Sequence, residues 1–303
     1  MIDEDIEADF KKITHLHLLK TPNASAEKIK VSVKLTKDQY KSRVAKMQQH
    51  IAQGDIYEAN FCQEFYVKDT AIDPLSTYNA LNAISLPPFA SFLKLDEHYA
   101  LCASPERYLK KEGSKLISQP IKGTAKRDVK KINDQSLAKE LQTSEKERAE
   151  NIMIVDLVRN DLSKTAQKGS VKVEELCKVY TFEQVHQMIS TITSTMHDLY
   201  TSVDAIKTSF PMGSMTGTPK VSAMQIIEDL EVSKRGLYSG AIGYFTPEGD
   251  FDFNVIIRSI LYNKARKYVS FSVGSAITAK SNIDSEYEEC LLKAKAMRQV
   301  LEQ

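Results

Sequence analysis

Phe89-Ala90-Ser91-Phe92-Leu93-Lys94-Leu95-Asp96-Glu97-His98-Tyr99-Ala100-Leu101-Cys102-Ala103 reads as two apolar strands around a short polar turn, a β-hairpin. A second hairpin follows: residues 108–110 and 115–118 flank Glu112-Gly113. Upstream, residues 57–67 read as a strand. Downstream, residues 171–180 and 185–196 are extended, the latter with the β-branched run Ile189-Ser190-Thr191-Ile192-Thr193-Ser194-Thr195. Residues 238–245, 250–261 and 268–273 give three more strands separated by short polar turns. Helical spacing marks residues 36–54, where Tyr40, Val44, Met47 and Ile51 recur at three and four and Gly54 suits the C-terminus. Residues 137–159, 203–209, 220–230 and 285–301 also read as helices, and Pro219 lies near the first turn of the fourth of these five. Strands that arrive in hairpin runs, not in strict β-α-β alternation, predict an α+β fold with antiparallel sheets.

Lysine and arginine number 41 against 40 aspartates and glutamates, so no basic excess points to a nucleic-acid or membrane-surface partner. Cys62, Cys102, Cys177 and Cys290 are far apart without a C-x-x-C pair, which argues against a disulfide framework or zinc site and for a reducing cytoplasm. The N-terminus is acidic and unlike a signal peptide, and no apolar run reaches the length of a membrane span. Residues 1–35 lack strong periodicity, and Pro22-Asn23-Ala24-Ser25 looks like a loop. Two regions are therefore expected: a short N-terminal segment, 1–35, and one catalytic domain, 36–303.

Several constellations carry chemistry. Gln119-Pro120-Ile121-Lys122-Gly123-Thr124 sets a lone lysine in a tight loop, where an amine can be a nucleophile or simply solvated. Glu147 and Glu150 share one helix face, and Glu286 and Glu289 repeat that spacing; such pairs either hold a hard cation such as Mg²⁺ or line solvated faces. Glu106 follows Ala103-Ser104-Pro105 on a rigid turn and is a general acid if desolvated, a surface residue otherwise. Phe210 to Lys220 is a small-residue loop opening a helix, either an anion pocket or a capping turn; its spacing is not that of a P-loop. Gly274, after a strand, permits close backbone approach or marks a plain strand end. Arg258, in the apolar run Val255-Ile256-Ile257, faces solvent or binds a carboxylate bidentately. His186 is either a structural or a catalytic histidine. No Ser-His-Asp or Cys-His arrangement stands out, so the chain shows no glutaminase of its own.

Taken in order, these segments resemble the chorismate-binding enzymes. The resemblance runs over roughly residues 36–303. It rests on Gly54-Asp55-Ile56-Tyr57, Ala103 to Arg107, Pro120 to Thr124, Ala149-Glu150-Asn151, Val155 to Asp161, Val185-His186, Phe210 to Lys220, Arg235 to Gly243, Ile257-Arg258 and Glu286 to Lys293. It implies two large antiparallel sheets packed as a sandwich with helices outside and the active site in a cleft. It implies Mg²⁺ on Glu150 and Glu289, with Glu147 and Glu286 as neighbours acting through water. Glu106 is the implied general acid and His186 an implied catalytic residue lining the site. Tyr238, Arg258, Lys293 and the backbone at Gly274 are implied contacts of substrate carboxylates, with Ser214 and Thr216 near the ring.

Within that family, Lys122 points to amination at C4 of chorismate, giving 4-amino-4-deoxychorismate for 4-aminobenzoate and folate synthesis. Direct attack of ammonia at C2 with loss of the C4 hydroxyl leaves nitrogen at C2; nitrogen at C4 needs an enzymic amine to add at C2 first. Ammonia would come from a separate glutamine amidotransferase subunit. The alternatives are C2 amination to the anthranilate pattern, isochorismate or salicylate formation, and a non-catalytic chorismate-binding subunit. Glu58 stands where relatives that add water or ammonia at C2 usually have Lys or Gln; a water-activating lysine is absent, which lowers the isochorismate and salicylate readings. Ser275-Ala276 departs from the usual Ala-Gly at the backbone anion site. The short N-terminus makes an effector pocket for tryptophan unexpected.

Overall fold

The computed structural model describes residues 6–15, 29–183 and 185–302. The loop expected at Pro22–Ser25 lies outside the described residues, as does Gln184. The elements in chain order are α1 (Ile6–His15), β1 (Ser32–Val33), α2 (Lys37–Gln53), β2 (Glu58–Val67), α3 (Pro74–Ser85), β3 (Phe89–Leu95), β4 (His98–Ser104), β5 (Arg107–Glu112), β6 (Lys115–Ser118), β7 (Ile121–Lys126), α4 (Lys131–Thr143), α5 (Glu145–Ser163), β8 (Lys172–Thr181), β9 (Val185–Thr195), α6 (Ser202–Ser209), β10 (Gly217–Thr218), α7 (Lys220–Leu230), β11 (Ala241–Phe245), β12 (Phe251–Val255), β13 (Ser259–Asn263), β14 (Tyr268–Thr278) and α8 (Ile283–Leu301). None of the described helices is long and apolar enough to cross a membrane.

The strands form two antiparallel sheets of seven among the described residues. One runs β1-β2-β14-β13-β4-β3, with β10 also on β2; the other runs β11-β12-β5-β6-β9-β7, with β8 also on β9. The expected α+β architecture of two antiparallel sheets with helices is what the chain adopts. The first sheet buries Phe61, Phe65, Phe271 and Ile260 against Tyr40, Val44 and Met47 of α2 and Ala294 and Met297 of α8. The second buries Leu109, Leu116, Ile192 and Phe251 against Ile154, Val155 and Val158 of α5. Asn254 joins the sheets: its Nδ2 donates to the Phe89 carbonyl at 3.0 Å and lies 3.3 Å from Ser91 Oγ. Residues 29–35 belong to the first sheet, since β1 pairs with β2 and Val31 and Leu35 enter its core.

Local chemistry explains the element ends. Thr36 caps α2 in a capping box with Gln39, and Gly54 closes it in the left-handed region at φ 86°. The helix expected over 137–159 is two helices, because Ser144 accepts from the Glu147 amide and starts α5 afresh. The strand expected over 250–261 is also two. β12 ends at Val255 in the second sheet and β13 begins at Ser259 in the first, and Arg258 makes the turn between them at φ 53°. A non-glycine residue held there is strained by roughly 1–2 kcal/mol, which the packing around it must outweigh. The segment expected as a loop around Lys122 is strand β7, with a register shift between Ile121 and Thr124 where Gly123 takes φ 97°. Gly274 lies inside β14, not at its end, because that strand continues to Thr278.

Candidate active site

The chain changes sheets twice near one point. It leaves the first sheet between β4 and β5, at Ser104-Pro105-Glu106, and returns between β12 and β13, at Ile256-Ile257-Arg258. Backbone bonds tie the two crossings: the Ala103 amide donates to the Arg258 carbonyl at 3.3 Å and the Val255 amide to the Glu106 carbonyl at 3.1 Å. The turn is fixed by Ser104, whose Oγ accepts from the Glu106 amide at 3.2 Å.

Glu106 is 6% exposed. Burial pushes its carboxyl up to about 7, against the Ser214 hydroxyl, the charge of Lys122, the Ile121 amide and the charge of Lys293. A carboxylic acid that is about half protonated near neutral pH is suited to donate a proton.

Lys122 lies between that acid and the acidic face of α5. Its Nζ is 3.8 Å from Glu150 Oε2, and Lys146 approaches the other Glu150 oxygen at 3.9 Å. The bulge at Gly123 makes this possible, since a Cβ there would stand 3.1 Å from Glu147 Oε2 and 3.1 Å from Leu141 Cδ1. Asn151 holds the Lys122 carbonyl through Nδ2 at 3.4 Å. Burial raises Glu150 to about 7; Lys122 opposes the shift and Glu147 and Glu58 add to it.

From α8, Lys293 Nζ reaches Glu289 Oε1 at 2.7 Å and donates to the Gly274 carbonyl at 2.8 Å. Burial alone would raise Glu289, but Lys293 and, further off, Lys122 and Lys146 leave it lowered. Arg258 donates to the Lys293 carbonyl at 3.4 Å, and burial pulls its guanidinium down against Tyr238 and Glu289. A half-buried guanidinium with so little to hold it is suited to grip a carboxylate. Lys122 thus acts electrostatically on Glu58, Glu106, Glu150 and Glu289 together. The sequence separates these groups by up to 231 positions (289 minus 58).

Tyr238 is buried with its hydroxyl 3.4 Å from Cys62 Sγ. Thr216 spends its hydroxyl on the Met212 carbonyl at 3.1 Å, while Ser214 keeps its side chain on Glu106. Gly274 is required by its neighbours in the sheet, since a Cβ would meet Cys62 Sγ at 2.4 Å and the Phe61 carbonyl at 2.6 Å. Glu286, in the first turn of α8, is buried at 4% exposure, and Glu147 lies in the first turn of α5. His186 is buried with Nε2 2.9 Å from Asp134 and Nδ1 2.9 Å from Thr181, so among the described residues both ring nitrogens have partners other than Glu106 or Lys122. Glu58, read from sequence only as a departure from pattern, is a buried member of the cluster. Its signal was a carboxylate opening an otherwise core-bound strand.

The donor set bears on a cation. Among the described residues no three His, Cys, Asp or Glu side chains converge on one point. Yet burial and neighbouring carboxylates hold Glu150 up even with Lys122 at 3.8 Å and Lys146 at 3.9 Å, a strain that a Mg²⁺ ion would relieve, and Mg²⁺ needs only one or two carboxylates beside water and substrate oxygens.

A buried acid, an amine and a half-buried arginine, all gathered where two antiparallel sheets exchange strands, make an enzyme-like site suited to an anionic ligand. Residues 3–299 match the chorismate binding enzymes, and the chain belongs to that family. It is 40% identical to an aminodeoxychorismate synthase of Streptomyces griseus over 273 residues, 90% of this chain and 37% of the relative. It is 33% identical to aminodeoxychorismate synthase component 1 of Bacillus subtilis, over 99% of this chain and 64% of the relative. The crystal structure of anthranilate synthase component I from Streptococcus pneumoniae TIGR4 shares the fold at a TM-score of 0.83 and 27% identity, over 98% of this chain and 66% of that one. The chain therefore spans from just over a third to about two thirds of the length of these relatives.

Proposed function

We propose that this chain aminates chorismate at C4, giving 4-amino-4-deoxychorismate, the precursor of 4-aminobenzoate for folate synthesis. The observation that carries the reading is the Lys122 amine, 3.8 Å from Glu150 and within the field of the Glu106 acid. The similarity to aminodeoxychorismate synthases supports it.

In this reading the lone pair of Lys122 Nζ forms a bond to C2 of the ring while the C4–O bond breaks. Glu106 gives its proton to the departing hydroxyl, which leaves as water, and Glu106 is left ionised. Ammonia then bonds to C4, the C2–N bond to Lys122 breaks, and the lysine leaves as the free amine. Arg258 and the amine of Lys293 hold substrate carboxylates, and Ser214 orients the Glu106 acid. Glu150 and Glu289 would hold Mg²⁺, with Glu147 and Glu286 behind them; the ion, when bound, neutralises the ring carboxylate. Ammonia would come from a separate glutamine amidotransferase subunit, a reading supported by the relative named as component 1. A cytoplasmic enzyme fits this chemistry.

The second reading is C2 amination, favoured by the likeness to anthranilate synthase component I. Chromatographic identification of the product formed from chorismate, Mg²⁺ and ammonium separates the two. 4-Amino-4-deoxychorismate is expected; 2-aminobenzoate as the main product would move the chain to the second reading.

A further inference from the structure

Glu58 is the one acidic residue of the cluster that the proposed reaction leaves without work. It opens β2, where its Cα faces Thr218 of β10 on one side and Thr278 of β14 on the other. Residues directly opposed in an antiparallel pair project to the same face. Glu58 is 2% exposed, and neither its Oε2 nor Thr218 Oγ1 has a hydrogen-bond partner among the described residues. The two strands are pressed together, since a Cβ on Gly217 would stand 2.2 Å from the Glu58 carbonyl oxygen. A buried carboxylate with a free oxygen, opposite a free hydroxyl, is costly unless something fills the place. Burial raises Glu58, and the charge that opposes this is that of Lys122.

We infer that Glu58 and Thr218 form the subsite for the ammonium ion that supplies the nitrogen. The inference rests on the reading of Lys122 as the group that adds to the ring. An ammonium ion balances the Glu58 carboxylate, and its N–H groups match the Glu58 carboxylate and the Thr218 hydroxyl as acceptors. Transfer of one proton from ammonium to the Glu58 carboxylate leaves ammonia, whose lone pair bonds to C4 as the C2–N bond to Lys122 breaks.

The test is steady-state kinetics with ammonium chloride as the varied substrate, at fixed pH with saturating chorismate and Mg²⁺, for the wild type and Glu58→Gln. The expected result is a KM for ammonium raised at least about tenfold, the scale of a lost charge-assisted hydrogen bond. The KM for chorismate and the ammonia-free formation of a mass adduct on Lys122 should stay as in the wild type. An unchanged KM for ammonium would overturn the inference, as would loss of the adduct, which would assign Glu58 to Lys122 itself. A wild type that forms no adduct would overturn the reading of Lys122, and this inference with it. Glu58→Gln removes a buried charge and should melt no lower than the wild type; if it fails to fold, Thr218→Val, read by the same ammonium KM, replaces it.

Discussion

Replacing Glu106 with glutamine should harm activity and help stability, and the opposite signs are the signature of a desolvated acid. In the folded chain its carboxyl is raised from 4.5 to about 7 by burial. The folded state therefore keeps a proton that the unfolded chain releases, and stability is lost as pH rises from the unfolded value through about 7. A shift of that size corresponds to about 3 kcal/mol, the most that the ionised Glu106 costs the fold above pH 7. Glutamine keeps the shape, can still hydrogen-bond Ser214, and has no charge to bury. At pH 8 Glu106→Gln should be more stable by up to about 3 kcal/mol, roughly 5 °C or more in melting temperature for a chain of this length. At pH 4, where the wild-type acid is protonated, the two should melt together. Turnover should fall by about 10²- to 10⁴-fold, the contribution of a general acid. The wild-type kcat/KM should decline as pH rises through about 7, and the variant should lack that limb. Calorimetry at both pH values and a pH–rate profile give the answer. Near-wild-type turnover by the variant, or a loss of stability at pH 8, would refute the reasoning.

The metal carboxylates give two further expectations. Glu150→Gln should lower activity by orders of magnitude, be rescued at most partly by excess Mg²⁺, and leave the fold intact or firmer, because it removes a charge that burial disfavours. Glu289→Gln should lower activity as strongly while releasing Lys293, now 2.7 Å from Glu289, so its KM for chorismate should change as well. Near-normal turnover in both would sink the metal assignment.

Local signals in the sequence reach as far as the hairpins and capped helices, where turn residues and periodicity act within a few positions. The pair β3 and β4 and the limits of α2 follow from Asp96-Glu97-His98, Thr36 and Gly54. The break between β12 and β13 is hidden because Val255-Ile256-Ile257 is apolar throughout; only a second sheet, contributed by distant segments, makes Arg258 turn. Ser144 with Glu147 carried a capping signal inside what reads as one helix, and Asp73-Pro74 marked α3, which the sequence reading leaves without an element. Lys122 stood out for its Pro/Gly setting, yet its strand is defined by pairing with β9. The site's residue types were legible one by one, but their meeting at the sheet crossings was not. The partner of His186, Asp134, lies 52 positions away. Glu58 reads as a mismatch in the sequence, and its place in the cluster comes from its burial and the charge of Lys122.

The account turns on a bond between Lys122 and the substrate ring. Intact-mass analysis after incubation with chorismate and Mg²⁺ in the absence of ammonia, followed by peptide mapping, tests it directly. The account predicts an adduct on the peptide that contains Lys122, discharged by ammonium, and none in Lys122→Ala, which also ceases to make 4-amino-4-deoxychorismate. An alanine variant that forms this product at the wild-type rate would contradict it.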